Sequence, residues 1–269
     1  MSTKHPHPLK KWGQHFLHDQ KIIGAITQNF LKQAKAIVEI GPGPGALTVH
    51  LKKHDLPFLA IDIDERAKDI HKDLLADHEL IIGDALDIDL NSKLTDAFPN
   101  NEHIWLVGNL PYNVSTALLV KFLTLEQIPF MTLMFQKEVG VKIMLKEGEK
   151  YLACSLGLLT YAFFETTKLC NVKPGAFFPP PKVDSVVLSF QRRSTPLVNL
   201  EAFSQYEKFL RKMFSRPRKQ VKTFWRHEFP KHDFPFLDLG LREDLRAEKL
   251  EQEQVLAIFH YTQRPPSAP

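Results

Sequence analysis

Five short apolar runs recur along the first half of the chain: AIVEI (36–40), FLAIDI (58–63), ELIIG (79–83), IWLVG (104–108) and PFMTLMFQ (129–136). They are β-branched or aromatic-rich, and helix-favouring segments separate them. Strands this apolar need cover on both faces, so the pattern predicts an α/β fold with a parallel, doubly wound sheet. After KEVGVKIML come TTKLCNV and VDSVVLSF, separated by KPGAFFPPPK, which read as an antiparallel addition at the sheet edge. The non-periodic stretch QRRSTPLVN, with Pro196, marks a boundary between domains at 1–192 and 200–269. The second domain reads as helical: FSQYEKFLRKMF, a restart at Ser215 and Pro217, and a last helix from about Leu250 to Phe259.

A chain of 269 residues with 43% apolar content can bury the core of one large and one small domain, which excludes disordered and fibrous classes. Cys154 and Cys170 are not spaced as a ligand or redox pair and are expected as buried free thiols in a reducing compartment. The N-terminus has no apolar core of a signal peptide, and YLACSLGLLTYAFF is too short and interrupted to span a bilayer. A soluble, cytoplasmic protein is expected, monomeric because nothing suggests an obligate dimer. His50 and His54 lie i,i+4 without a third ligand following, so no metal is expected.

The net charge of +4 is small but unevenly spread. From Lys208 to Arg226 the chain carries Arg211, Lys212, Arg216, Arg218, Lys219 and Lys222 with no acidic residue between. A solvated helix face ordinarily alternates sign, so a one-sign run points to a polyanion such as nucleic acid. Lys4, Lys10 and Lys11 form a second cluster in the N-terminal arm.

The strand ends carry the chemistry. EIGPGPGAL (39–47) follows the first run, and glycines at 41, 43 and 45 permit a sharp turn and close approach of a ligand to the main chain. The loop lacks both the dinucleotide spacing and the phosphate-binding GK[ST], and Pro42 and Pro44 have no N–H for a phosphate. Asp62 ends the second run about 20 residues on, where a carboxylate accepts ribose hydroxyls. Asp84 follows the third run, and GNLPYN (108–113) places Asn109 at the end of the fourth. Four successive strands thus end in polar residues or glycine at the edge where open α/β sheets bind ligands.

QHFL (14–17), VEIGPGPGALT (38–48), GDAL (83–86), GNLPYN, QKEV (136–139) and AFFPPPKVDS (176–185) resemble the ribosomal RNA adenine N6,N6-dimethyltransferase family, closest to its bacterial KsgA branch, over about residues 10–190. The resemblance implies a class I, Rossmann-like methyltransferase fold with a small all-α C-terminal domain that engages RNA. It implies S-adenosylmethionine as cofactor and, as partner, 16S ribosomal RNA in the 30S subunit or its precursor, dimethylated at two adjacent adenosines near its 3′ end. Its cofactor contacts fall on His15, Leu17, Gly41, Asp62, Asp84 and Asn109. His15 and Asp62 stand where Asn and Glu are frequent, and both retain hydrogen-bonding capacity.

The chemistry implied explains the NLPY motif. An adenine N6 lone pair is conjugated into the ring, so acceptors must grip its N–H bonds and turn the nitrogen toward sp³. The Asn109 side-chain oxygen and the Leu110 carbonyl are the candidates, with Pro111 fixing φ to aim that carbonyl. Tyr112 offers a ring face to the extruded base, worth roughly 1–3 kcal/mol, and Phe177 the second face, with Phe178 as the alternative. Lys10, Lys11, Arg211, Lys212, Arg216, Arg218, Lys219 and Lys222 are the candidate RNA contacts. A 23S rRNA or DNA adenine methyltransferase, or a non-catalytic RNA-binding assembly factor, is the alternative.

Overall fold

The structure, a computed structural model, describes residues 8, 13–99, 103–147, 150–151, 153–216, 218–229, 234, 236, 238–242 and 244–263. Along the chain run β1 (Phe16–Leu17), α1 (Gln20–Gln28), β2 (Ala36–Ile40), α2 (Thr48–Leu51), β3 (Phe58–Asp62), α3 (Ala67–His71), β4 (Leu80–Ile82), α4 (Leu90–Ala97), β5 (Ile104–Asn109), α5 (Ser115–Leu123) and β6 (Phe130–Gln136). There follow α6 (Lys137–Ile143), β7 (Lys146–Glu147), β8 (Lys150–Tyr151), α7 (Ser155–Phe163), β9 (Phe164–Val172), β10 (Phe177–Phe178), β11 (Ser185–Arg192), α8 (Phe203–Met213), α9 (Val221–Glu228) and α10 (Gln252–Thr262).

The five apolar runs become β2 to β6, paired in parallel in the order β4-β3-β2-β5-β6. All five residues of β2 and of β3 are buried, as the mostly apolar character of those runs requires, and Glu39 and Asp62 are buried with them. β11 adds antiparallel to β6, with Ser185 opposite Gln136, and β9 completes a seven-stranded sheet among the described residues. This is the class I methyltransferase fold, a mostly parallel sheet with an antiparallel edge. The strand order reverses between β2 and β5, which opens a crevice at their carboxyl ends. β1 pairs antiparallel with β10, Phe16 opposite Phe178 and Leu17 opposite Phe177, so the arm is stitched beside that crevice. Asp19 then caps α1, its carboxylate accepting from the amides of Lys21 (2.9 Å) and Ile22 (3.2 Å).

The chain divides into two compact units: residues 1–140 with 165–193, and 141–164 with 194–269. This corrects the expected single cut at 192, because segment 141–164 joins the second unit. The reason lies in α7, which buries Gly157, Leu158, Leu159, Thr160, Ala162 and Phe163. A helix apolar on most sides must be surrounded. Phe163 packs on Phe203 of α8 with ring centroids 5.3 Å apart, and the Leu197 amide donates to the Ala162 carbonyl over 2.9 Å. α8 in turn buries Phe203, Tyr206, Phe209, Leu210 and Met213, and Tyr206 and Phe209 meet Phe259 of α10 at 4.8 and 5.4 Å. The helix expected to restart at Ser215 and Pro217 begins at Val221 instead. The Ser215 hydroxyl donates back to the Lys212 carbonyl over 2.8 Å, finishing α8 rather than capping α9. Pro217 lies outside the described residues. Both cysteines are free but only half-buried, and Cys154 Sγ donates to the Lys142 carbonyl over 3.3 Å.

Candidate active site

The glycine loop after β2 is held from three sides. Gly41, Gly43 and Gly45 adopt φ of 70°, 53° and 91°, a left-handed path that side chains other than glycine rarely take. The Gly43 amide donates to Asp62 Oδ2 over 3.2 Å, and the Gly43 carbonyl accepts from His71 Nε2 over 3.0 Å. Burial pushes the His71 imidazole down, while the bond to the Gly43 carbonyl pulls the other way. The Phe16 ring lies against the third side, 3.5 Å from where a Gly43 Cβ would stand. Asp62 Oδ1 accepts from the Asp64 amide over 2.9 Å. Burial pushes the Asp62 carboxyl up, and the amides of Asp64 and Gly43 pull it back. Asp64 itself is held down to about 2, first by the Arg66 guanidinium, and Gln14 of the arm donates to its Oδ2 over 3.2 Å.

Gly41, Gly43 and Asp62 line one cavity together with residues 13–17 of the arm, Glu39, Asp84 and residues 109–114. Asp84 Oδ1 accepts from the Leu86 amide over 2.8 Å, which folds the loop after β4 around the carboxylate. Asn109 Nδ2 donates to the His15 carbonyl over 2.9 Å. One of its two N–H donors is thereby engaged, and Oδ1 is the group's acceptor. The buried Leu110 and half-buried Pro111 follow, and the Pro111 carbonyl accepts from the Val114 amide (3.2 Å) as the chain turns into α5. Tyr112 is anchored by its hydroxyl to Ser185 Oγ over 2.7 Å. The His15 ring stacks on it with centroids 5.6 Å apart, while His15 Nδ1 donates to the Pro179 carbonyl over 2.7 Å. His15 thus joins three parts of the site, and Leu17 lines the cavity from the buried side of the arm.

Glu39 is a cavity residue that motif reasoning did not single out. It is 1% exposed, and its Oε2 has no hydrogen-bond partner among the described residues. Burial pushes its carboxyl up to about 8, against an opposing pull from Thr48. The signal was a carboxylate inside an otherwise apolar strand, AIVEI.

One expected residue does not reach the cavity. Phe177 is 2% exposed in the core that also holds Leu17, Ile23 and Val172, so its ring is not offered to a base. Phe178 is 60% exposed. The β1–β10 register explains the split: Phe177 lies opposite buried Leu17, and Phe178 lies opposite half-buried Phe16 on the more open face. In the second unit Arg211, Lys212, Arg216, Arg218 and Lys219 are exposed and Lys222 half-buried. The expected absence of charge compensation is corrected. Arg211 pairs with Glu207 at 2.7 Å and Lys212 with Glu228, both acids lying just outside the basic run. Lys10 and Lys11 lie outside the described residues. Among the described residues there is no cluster of three metal-ligating side chains and no helix long and apolar enough to cross a membrane.

A family model for ribosomal RNA adenine dimethylase matches residues 8–264. Ribosomal RNA small subunit methyltransferase A of Phytoplasma australiense is 35% identical over 216 residues, 80% of this chain and 76% of that protein. The protein of the same name from Syntrophotalea carbinolica is 33% identical over 258 residues, 92% of this chain and 94% of its own. Among solved structures, a dimethyladenosine transferase from Plasmodium falciparum has a TM-score of 0.72 at 26% identity, covering 93% of this chain and 98% of that one. The 23S rRNA methyltransferase ErmE, with a TM-score of 0.69 at 24% identity and coverage of 93% and 100%, shares the fold. The chain, matched almost end to end by the family model, belongs to the ribosomal RNA adenine dimethylase family.

Proposed function

We propose that the protein transfers methyl groups from S-adenosylmethionine to N6 of two adjacent adenosines near the 3′ end of 16S rRNA, acting as a monomer in the cytoplasm on the small ribosomal subunit or its precursor. The observation that carries this reading is the Asn109 amide, which is held through Nδ2 by the His15 carbonyl, keeps Oδ1 as an acceptor, and lines the same cavity as Asp62 and Asp84.

The cavity suits a cationic, nucleoside-containing donor. Three carboxyl groups line it, and Glu39 Oε2, buried and unpartnered among the described residues, offers a site for an N–H of the ligand. When bound, S-adenosylmethionine supplies an activated methyl group on sulfur. Asp62 takes the ribose diol, Asp84 the adenine amino group, and Gly41 lets the ligand approach the backbone, with His15 and Leu17 closing the arm side.

On the acceptor side, Asn109 Oδ1 and the Leu110 carbonyl take the two N6–H bonds and turn the lone pair out of conjugation. Pro111 stiffens the turn that aims that carbonyl. Tyr112, held by Ser185 and His15, stacks on the flipped base, and exposed Phe178, rather than buried Phe177, provides the second ring. Methyl transfer then rests on alignment of nitrogen, carbon and sulfur. Arg216, Arg218 and Lys219 carry most of the attraction to phosphate, since Arg211 and Lys212 are partly neutralised.

The test is incubation of the purified protein with methyl-labelled S-adenosylmethionine and unmethylated small subunits, with large subunits and DNA in parallel. Label recovered as N6,N6-dimethyladenosine from 16S rRNA alone is expected. Label in large subunits or DNA would replace the substrate, and no label anywhere would support an assembly factor without catalysis.

A further inference from the structure

Lys121 is not part of any motif in the site, yet its ammonium is placed with care. It sits in the last turn of α5, half-buried, with Nζ 2.6 Å from the carbonyl oxygens of both Leu86 and Ile88. Those carbonyls belong to the loop that carries Asp84. The loop is folded back on itself: Leu86 N–H donates to Asp84 Oδ1 over 2.8 Å, and the amides of Asp87 and Ile88 donate to the Asp84 carbonyl over 2.9 and 3.0 Å. Ile88 also lies over Gly83, so closely that a Cβ there would stand 2.9 Å from Ile88 Cδ1. Leu86 is therefore gripped at both ends, its N–H by Asp84 and its carbonyl by Lys121.

The other end of α5 begins where NLPYN finishes. Ser115 Oγ donates to the Tyr112 carbonyl over 3.2 Å, and Leu118, one turn on, lines the cavity. Six residues of helix, about 9 Å of rigid rod, separate Ser115 from Lys121. One short helix thus holds the acceptor motif at its start and the Asp84 loop at its end.

We propose that Lys121 is a positioning residue for the methyl donor: by clamping the Leu86 and Ile88 carbonyls it keeps the Asp84 carboxylate in register with Asn109 and Tyr112. The proposal rests on the reading that Asp84 receives the donor's adenine. A lysine suits the task because one ammonium has three donors and can span two carbonyls at once. Its removal leaves two carbonyls without that donor and frees the loop.

The test is calorimetric titration of S-adenosylmethionine into the intact protein without RNA, for Lys121→Met, Lys121→Arg, Asp84→Asn and the Lys121→Met/Asp84→Asn double variant, with thermal unfolding of each. Lys121→Met is expected to weaken donor binding roughly tenfold while remaining folded, and Lys121→Arg to recover most of it. The double variant should bind about as weakly as Asp84→Asn alone, because Lys121 acts through that carboxylate. In turnover assays with small subunits the loss should fall on KM for the donor rather than on kcat. Wild-type affinity in Lys121→Met, or losses that multiply in the double variant, would overturn the proposal. A melting point lowered equally in Lys121→Met and Lys121→Arg, with donor affinity tracking it, would make Lys121 merely structural. Asp84→Asn binding like wild type would instead remove the adenine assignment itself, and with it the proposal.

Discussion

The side-chain amide of Asn109 donates to the main-chain carbonyl of His15 across 2.9 Å, joining the end of β5 to the N-terminal arm. The bond fixes the amide of a residue that lines the cavity. Asn109→Ala should lower single-turnover methyl transfer by on the order of 10²–10³, the scale seen when one oriented polar group is removed from a transition state. Affinity for small subunits should stay close to wild type in a filter-binding assay. A variant that loses subunit binding while its transfer rate at saturation is intact would show that Asn109 does something else.

Glu39 makes the stability of the ligand-free protein depend on pH. Its carboxyl titrates at an ordinary 4.5 when unfolded and at about 8 when folded, because burial favours the neutral form. Between those values the folded state holds the extra proton, so this group's contribution is largest at low pH and is lost as pH rises from about 4.5 to about 8. Asp62, Asp64 and His71 titrate nearby, so the difference between wild type and Glu39→Gln isolates the effect. Melting curves across this range should show the variant gaining on wild type as pH rises; parallel curves would mean Glu39 is ionised throughout.

Phe177 and Phe178 are neighbours with opposite roles. Phe177→Ala opens a hole in the core and should cost about 3–5 kcal/mol in denaturant unfolding. Phe178→Ala should change stability by less than about 0.5 kcal/mol and yet slow methylation of the subunit. If Phe178→Ala methylates at the wild-type rate, the second stacking surface lies elsewhere.

The basic residues of the second unit should separate by their ion pairs. Replacing Arg216, Arg218 and Lys219 by Glu should weaken rRNA binding and reduce the slope of log affinity against log salt by about 2–3. Arg211→Ala should do much less, since Glu207 already neutralises it. Equal losses in fluorescence-anisotropy titrations would place the RNA across α8 instead.

The sheet was legible because its buried parallel strands carry few polar positions, Glu39 within β2 being one, and Asp62, Asp84 and Asn109 sit where strands end. Choices made by long-range pairing were not. Alternation along AFFP says that Phe177 and Phe178 face opposite ways; only the pairing of Leu17 with Phe177 says which way is inward. The apolar run in α7 announced burial without saying against what, and α8 supplied the answer. Lys121 resembles any surface lysine because its acceptors are main-chain carbonyls, which no residue letter records.

The most direct measurement of the central claim is mass spectrometry of the 3′-terminal fragment of 16S rRNA from unmethylated small subunits, before and after incubation with the protein and S-adenosylmethionine. The account predicts two adjacent adenosines converted to N6,N6-dimethyladenosine by the wild-type protein and left unmodified by Asn109→Ala. Unmodified adenosines after incubation with the wild type, or full dimethylation by Asn109→Ala, would contradict it.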